Sequence, residues 1–207
     1  VLSLGDPCGI GPELAVKAWH ELKASRELAF CVIGDAGVLR AAGAEVAVVG
    51  DVAEAGDVFG LTLPVLDRPL GAPAVAGHPD AVHAPHITGW IRTGVELCRG
   101  GQARGLVTAP IAKSVLYGAG FGFPGHTEYL AELCRDGDGP APHPVMMLTA
   151  KDLRVVLATI HVPLAEVPSR LSLAGLVETA RITHQALKCD FGIARPSGLN
   201  ATFGGVP

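Results

Sequence analysis

The chain begins with VLSLGDPCGIGPE, residues 1–13, in which a short apolar run passes directly into a glycine-rich loop. The run predicts a buried strand, and the apolar residues after the loop recur at helical spacing. The face that this helix buries is expected to hold Leu14, Ala15, Ala18, Trp19 and Leu22. Phosphate cradles have this order of strand, glycine loop and helix, but the glycine spacing matches neither the dinucleotide fingerprint nor the P-loop. A tight structural turn and a ligand-binding loop therefore both stay open as interpretations.

Further along, apolar runs alternate with helical patterns, which indicates an open α/β fold with a parallel sheet. The predicted strands are Ala29–Asp35, Val46–Val49, Leu61–Leu66 and Gly105–Pro110. Continuous apolar runs of this kind are typical of parallel strands that helices cover on both faces. Before the last strand, Thr88 is predicted to cap a helix that closes at Gly100. Lys113 follows that strand, and we expect it in a cleft because ligands of open α/β sheets bind beyond the carboxyl ends of the strands.

The stretch FPGHTEYL, residues 123–130, places polar side chains between a Pro-Gly turn and an apolar helical run. Thr127 is a good residue for a helix N-cap, and the free amide groups of a helix start favour a bound anion. His126 and Thr127 would then lie at an anion site. A loop histidine beside an ordinary cap is an equally good interpretation of these eight residues.

The second half of the chain predicts a β-hairpin followed by helix. The runs Pro144–Thr149 and Leu153–Ile160 read as paired strands, and His161 is expected at the end of the second. An imidazole there could be a metal ligand, a general base or a satisfied core histidine. Ser172 is predicted to open a long helix on which His184 faces solvent.

Composition limits the classes of partner and site. The 207 residues are 49% hydrophobic and 17% charged, with a net charge of −4 and no basic stripe, so nucleic acid and anionic membranes are poor partners and small molecules are the better expectation. The five cysteines are scattered and form no C-x-x-C pair, which argues against a disulfide framework and indicates the cytoplasm. No apolar run approaches the ~18 residues of a membrane span. His78, His83 and His86 lack the regular spacing of a metal site.

Three stretches together carry a family resemblance: GDPCGIGPE at 5–13, APIAK at 109–113 with FPGHTE at 123–128, and TIHVPL at 159–164. Over nearly its whole length the chain resembles the 4-hydroxythreonine-4-phosphate dehydrogenase family of pyridoxal phosphate biosynthesis. The resemblance implies a two-domain α/β/α fold like that of isocitrate and isopropylmalate dehydrogenases. It also implies a homodimer with the active site near the subunit interface.

The resemblance implies roles for individual residues. His126 and Thr127 match the pair that holds the substrate phosphate, and His161 matches the first of three metal-binding histidines. Lys113 is expected in the catalytic cleft, and Asn200 matches an asparagine that contacts substrate. The implied reaction oxidises a secondary alcohol with NAD or NADP, and the resulting 3-keto acid loses carbon dioxide. Zinc is the metal that histidine nitrogens favour, with magnesium or cobalt as alternatives; no cofactor-binding residue is identified.

The end of the chain, GLNATFGGVP at 198–207, departs from the family order. It aligns either with the second metal segment, without its histidine, or with a much later segment that contains the substrate asparagine. We favour the later segment because eight positions fit instead of three. This alignment predicts that a long piece is missing between Ser197 and Gly198 and another after Pro207, and the start at Val1 without methionine predicts an upstream residue.

The resulting domain prediction has three parts. Residues 1–125 form a first α/β domain, residues 126–197 form a second domain with dimer-forming elements, and residues 198–207 return to the cleft. The alternative substrates are D-threonate or D-erythronate 4-phosphate, and more distant relatives act on aromatic dihydrodiols, against which His126 and Thr127 argue. A phosphate acyltransferase without a metal requirement and a non-catalytic binding homologue are the alternatives of other classes.

Overall fold

The structure is a computed structural model that describes residues 1–25, 27–123 and 125–196. The chain divides into two compact units, Val1–Ala141 and Pro142–Pro207. The domain boundary at residue 125, and the return of residues 198–207 to the cleft, stay predictions.

The first unit is built on a parallel five-stranded sheet, which confirms the predicted α/β class. Its strands are β1 (Leu2–Ser3), β2 (Val32–Gly34), β3 (Val46–Val48), β4 (Leu63–Asp67) and β5 (Val107–Thr108). They lie in the order β3-β4-β2-β1-β5, with every neighbouring pair parallel. The strands are shorter than predicted. The prediction that the last strand is buried is wrong for Val107, which is 64% exposed because β5 lies at the edge of the sheet.

Helices connect these strands and follow the last of them. They are α1 (Gly11–Leu22), α2 (Ala36–Ala41), α3 (Ala55–Val58), α4 (Ala84–Arg99), α5 (Lys113–Gly118) and α6 (His126–Leu133). From β1 the chain passes to β2, which pairs with one edge of β1. Helix α4 later leads the chain from β4 to β5, which pairs with the other edge of β1. The strand order therefore reverses between β1 and β5, and open α/β sheets bind their ligands at such a switch point.

The core of the first unit lies on both sides of the sheet. Leu4, Ile33 and Leu63 are fully buried in it, and the indole N–H of Trp19 donates to the Phe59 carbonyl oxygen at 2.8 Å. Pro12 lies in the first turn of α1, as the pattern predicted, but Leu14 is 44% exposed and does not belong to the buried face. Val16 is buried instead, so the buried face of α1 is shifted from the predicted one.

The predicted cap at Thr88 is wrong. Helix α4 begins at Ala84, four residues earlier, where Pro85 lies in its first turn. The Thr88 hydroxyl donates back to the Ala84 carbonyl oxygen at 3.0 Å instead. Threonine readily makes this bond inside a helix, so a threonine before an apolar run does not by itself fix a helix start.

The second unit contains a hairpin and a long helix. Strands β6 (Met146–Ala150) and β7 (Leu153–Leu157) pair antiparallel, as predicted. A short helix α7 (Val167–Arg170) precedes α8 (Leu173–Cys189). The Ser172 hydroxyl accepts the Gly175 N–H at 3.1 Å and caps α8, which confirms the predicted start, and His184 is exposed as expected.

Two general predictions can be compared with the structure. All five cysteines are free thiols, which agrees with the absence of a disulfide framework. Among the described residues, no helix combines the length and the apolar character needed to cross a membrane.

Candidate functional site

The loops after β1 and β5 touch each other at the switch point of the sheet. Gly5 has a φ of +74°, and a Cβ on it would lie only 2.5 Å from the Pro110 carbonyl oxygen. The Asp6 N–H donates to that same oxygen at 3.0 Å. The Gly77 N–H covers the first loop by donating to the Cys8 carbonyl oxygen at 2.7 Å. Glycine is therefore required at residue 5 by both conformation and space.

The glycine loop carries its own carboxylate, that of Asp6. The side chain is 3% exposed; its Oδ1 accepts the Cys8 N–H at 2.9 Å, whereas its Oδ2 is buried without a partner. A phosphate cradle offers its amide groups to an anion, but here a protein carboxylate takes one of them and adds negative charge. Burial raises the pKa of the neighbouring Cys8 thiol, so this cysteine is not an activated nucleophile. The geometry favours the structural-turn interpretation of the loop.

Asp35 follows β2, where dinucleotide-binding folds carry the acidic residue that contacts ribose. Its Oδ1 accepts the Val38 N–H at 2.9 Å, and its Oδ2 accepts the Leu70 N–H at 2.7 Å. One oxygen thus caps α2, and the other holds the segment after β4. This carboxylate therefore has a structural role.

Helix α6 begins at His126, so the prediction that Thr127 is the N-cap is wrong. Gly125 occupies the cap position in an extended conformation and supplies no side chain to the helix. The carboxylate of Glu128 lies beside it, 3.2 Å from the position of a Cβ on Gly125. Because no side chain caps α6, the first backbone N–H groups, including those of His126 and Thr127, stay available for a ligand.

Lys113 and His126 lie on one small cavity in the first unit. The cavity has a volume of ≈ 10 Å³, room for about one water molecule. Its lining consists of Thr88, Ile91, Ile111, Lys113, Leu116, Tyr117, Phe121, Gly125 and His126. The Nε2 atom of His126 is buried without a hydrogen-bond partner. The structure therefore brings together the predicted cleft lysine and His126, one of the two predicted phosphate ligands.

Lys113 places a positive charge beside this cavity. Burial, and then the Lys113 ammonium, lower the pKa of His126 from its ordinary value of 6.5. Within the part of the chain that the structure describes, Lys113 has neither an ion-pair nor a hydrogen-bond partner. The positive end of α6 adds to this charge, and Glu128 offsets part of it. Lys113, His126, Thr127 and the first amides of α6 thus form a candidate anion site.

His161 lies in the second unit, and its predicted place at a strand end is wrong. Strand β7 ends at Leu157, and His161 follows in an exposed turn with a φ of +56°. Over residues 1–25, 27–123 and 125–196, no group of three His, Cys, Asp or Glu side chains could hold a metal ion. The described residues therefore do not amount to a metal site, and His161 alone stays a predicted ligand. Asn200 lies outside the described residues.

Two features of the first unit are not evident from the sequence pattern. His83 is 1% exposed with both ring nitrogens unpartnered, although it occurs in a Pro- and Gly-rich stretch. Tyr129 is also buried, and its hydroxyl donates to the Thr88 carbonyl oxygen at 3.1 Å. The cluster of Phe121, Phe123 and Tyr129 around the 123–130 stretch is the signal that could have pointed to Tyr129.

Anion binding at His126 should depend on pH in one direction. A bound anion favours the imidazolium form and raises the pKa that burial and Lys113 have lowered. We expect the affinity for sulfate, which stays dianionic, to be highest at low pH and to fall by up to about tenfold per pH unit once pH exceeds the lowered pKa. Titration calorimetry between pH 5 and 8 measures this, with His126→Gln as the control. Equal slopes in the two proteins would contradict it.

Comparison with known proteins identifies the family. The family described as pyridoxal phosphate biosynthetic protein PdxA matches residues 26–202. A 4-hydroxythreonine-4-phosphate dehydrogenase from Caulobacter vibrioides is 51% identical over 198 residues, which cover 94% of this chain and 59% of that protein. One from Xanthobacter autotrophicus is 43% identical, over 97% of this chain and 60% of that protein.

A solved structure of a protein with the same name is also similar to this chain. The crystal structure of a 4-hydroxythreonine-4-phosphate dehydrogenase from Burkholderia phymatum superposes with a TM-score of 0.83 at 28% identity, over 94% of this chain and 59% of that one. The chain spans about 59–60% of the length of the curated relatives described above. The match to this family and the identity with these relatives show that the chain belongs to the family of the pyridoxal phosphate biosynthetic protein PdxA.

Proposed function

We propose that the chain belongs to a metal-dependent NAD(P) oxidoreductase that oxidises the secondary alcohol of a phosphorylated hydroxy acid of the 4-phosphooxy-L-threonine type. The 3-keto acid that forms then loses carbon dioxide. The observation that carries this proposal is the positive site of Lys113 and His126 at the uncapped start of α6. The relatives carry the name 4-hydroxythreonine-4-phosphate dehydrogenase.

Four kinds of group around the proposed site suit a phosphate monoester. The first N–H groups of α6 donate to phosphate oxygens, as helix starts do in other phosphate sites. His126 becomes an additional charged donor when it binds a proton, and the Thr127 hydroxyl is a further donor within the same turn. Lys113 is proposed as the catalytic cation of the cleft, where it stabilises negative charge on the substrate. Fixing the phosphate end of a small substrate limits the positions that its alcohol carbon can take.

The cofactor and the metal are proposed from the family resemblance. A bound nicotinamide would accept the hydride of the alcohol carbon, while the alcohol proton is released. His161 is proposed as one metal ligand, with zinc as the metal. Asn200 is proposed to contact substrate. An isocitrate dehydrogenase-like two-domain fold, a cytoplasmic location and family segments beyond this chain belong to the same proposal.

An activity assay tests the proposed function. The purified protein is given 4-phosphooxy-L-threonine, D-threonate 4-phosphate or D-erythronate 4-phosphate, with NAD or NADP and zinc, and the reduced cofactor is followed by absorbance. Unphosphorylated 4-hydroxythreonine is the matched control and is expected to react poorly. Turnover of one phosphorylated compound supports the proposal and selects the substrate, whereas no turnover of any of them contradicts it.

Replacing His161 with alanine tests its role as a metal ligand. We expect the bound metal per chain to fall by more than half and turnover to fall by about tenfold or more, because a catalytic zinc normally needs three protein ligands. Elemental analysis of dialysed protein measures the first effect directly. His184→Ala, an exposed histidine on α8 in the same unit, is the control. Unchanged metal content in His161→Ala would remove this residue from the metal site.

A homodimer is proposed on the basis of the second unit. Its hairpin has only two strands, which are marginally stable alone in water. Leu164 is 84% exposed and Leu173 80% exposed, and Val177 on α8 is exposed as well. Exposed apolar surface of this kind is typical of an interface. Sedimentation velocity at several protein concentrations tests the proposal, and a monomer at all of them contradicts it.

A further inference from the structure

Tyr129 is tied to the start of α6 by its backbone and to α4 by its side chain. It is the fourth residue of α6, and its N–H donates to the Gly125 carbonyl oxygen at 3.3 Å, which closes the first turn. Its hydroxyl donates to the Thr88 carbonyl oxygen at 3.1 Å, across to α4. The side chain is 5% exposed, so the phenol cannot exchange this bond freely for water.

The ring of Tyr129 is also fixed. It packs against Phe121 and Phe123, with a distance of 5.2 Å between ring centroids in each case, and the two phenylalanine rings are 5.4 Å apart. The contact with Phe121 is edge-to-face, an arrangement that aromatic pairs favour. The three rings hold the chain entering α6 against its first turn. The aromatic contacts and the hydroxyl bond therefore restrain this turn in two different directions.

The restrained turn is the one that carries the anion donors. His126 and Thr127 supply its first N–H groups, and His126 also lines the cavity that Lys113 and Thr88 line. Binding groups must hold their productive positions to within about 0.5 Å to be effective. A shift of α6 along α4 would move the imidazole and the amides together and change their distance from Lys113.

We propose that Tyr129 is a positioning residue for the anion site: its hydroxyl anchors the first turn of α6 to the Thr88 carbonyl and so sets the distance between the His126 imidazole and Lys113. Tyr129 itself does not touch the substrate. The inference rests on the proposed function, because it concerns the placement of the proposed phosphate ligands.

Tyr129→Phe removes only the hydroxyl and keeps the aromatic cluster. We expect the KM for the phosphorylated substrate to rise about 3- to 10-fold with kcat within about twofold of the wild-type value, since the lost bond is a single neutral one. Sulfate affinity should weaken by the same factor. Trp19→Phe is the matched control, because it removes another buried hydrogen bond from an aromatic side chain to a carbonyl, the one to Phe59. It should lower the melting temperature without changing sulfate affinity.

A measurement without any ligand separates this inference from the proposed function. Tyr129→Phe should move the NMR signals of the His126 ring and raise its pKa as Lys113 draws away, whereas Trp19→Phe should leave both unchanged. If wild-type protein binds no sulfate but these signals move, the proposed phosphate site is contradicted, whereas the effect of the Tyr129 hydroxyl on the placement of the His126 imidazole is supported. If the His126 signals and sulfate affinity are the same in Tyr129→Phe and wild type, the positioning role is overturned.

Discussion

Replacing Gly11 with alanine is expected to lower the free energy of unfolding by about 3 kcal/mol or more. Gly11 is the first residue of α1, and a Cβ on it would lie 2.2 Å from the Leu4 carbonyl oxygen and 3.3 Å from the Ala109 Cβ. The nearest atom is backbone of the chain leaving β1, so no side-chain rotation can relieve the overlap. Helix α1 would have to move away from the sheet, and the packing of Trp19 would loosen with it.

Urea denaturation followed by circular dichroism measures this effect. Gly89→Ala is the control, because Gly89 lies inside α4 and a Cβ there would meet no atom within 4 Å. Alanine in an open helical position is expected to be neutral or to stabilise by up to about 1 kcal/mol. The opposite signs separate a steric requirement for glycine from a general effect of the substitution. Similar small changes in the two variants would show that α1 can shift without loss.

Replacing Lys113 with methionine is expected to weaken sulfate binding by about 10- to 100-fold, which is the effect of losing a charged partner of an anion. The same substitution should raise the pKa of His126, because the Lys113 ammonium lowers it. The imidazole of His126 would become easier to protonate, whereas the affinity of the site for sulfate would fall. A simple loss of structure would not produce this combination.

Titration calorimetry gives the sulfate affinity, and NMR titration of the imidazole gives the pKa. Lys17→Met, an exposed position on α1, removes the same charge elsewhere in the first unit. This control should change the sulfate affinity by less than about twofold, which is the effect of net charge alone. If Lys113→Met behaves like Lys17→Met in both measurements, Lys113 does not belong to the anion site.

The sequence predicted the parts of the fold that depend on runs or regular spacing of apolar residues. Apolar runs such as Leu61–Leu66 identified the parallel strands, because burial on both faces leaves a continuous signal. Ser172 was recognised as the cap of α8, since serine before a long apolar period is a strong local signal. The same reasoning placed Lys113 beyond the carboxyl end of β5, where it meets His126 on one cavity.

The predictions that failed depended on a single residue or on contacts between distant segments. Thr127 and Thr88 resemble N-caps, but α6 starts after Gly125 and α4 starts at Ala84. An extended glycine and a proline in the first turn can start a helix as well as a threonine can. His161 was expected on a strand end, but β7 stops at Leu157 before it reaches that residue. The partner of the Tyr129 hydroxyl lies 41 residues away in sequence, which no local pattern contains.

The position of β1 in the sheet has a consequence for how the chain folds. β1 and its partner β5 are far apart in sequence: Val1 and Gly105, whose backbone groups bond beside this pair, are 104 residues apart. Until β5 docks, β1 presents an unpaired edge of the growing sheet. Contacts this distant slow folding, because a long loop must close before they form. The last step of sheet formation is therefore expected to be the one that joins the glycine loop to Pro110, so that the anion site assembles only when the sheet is complete.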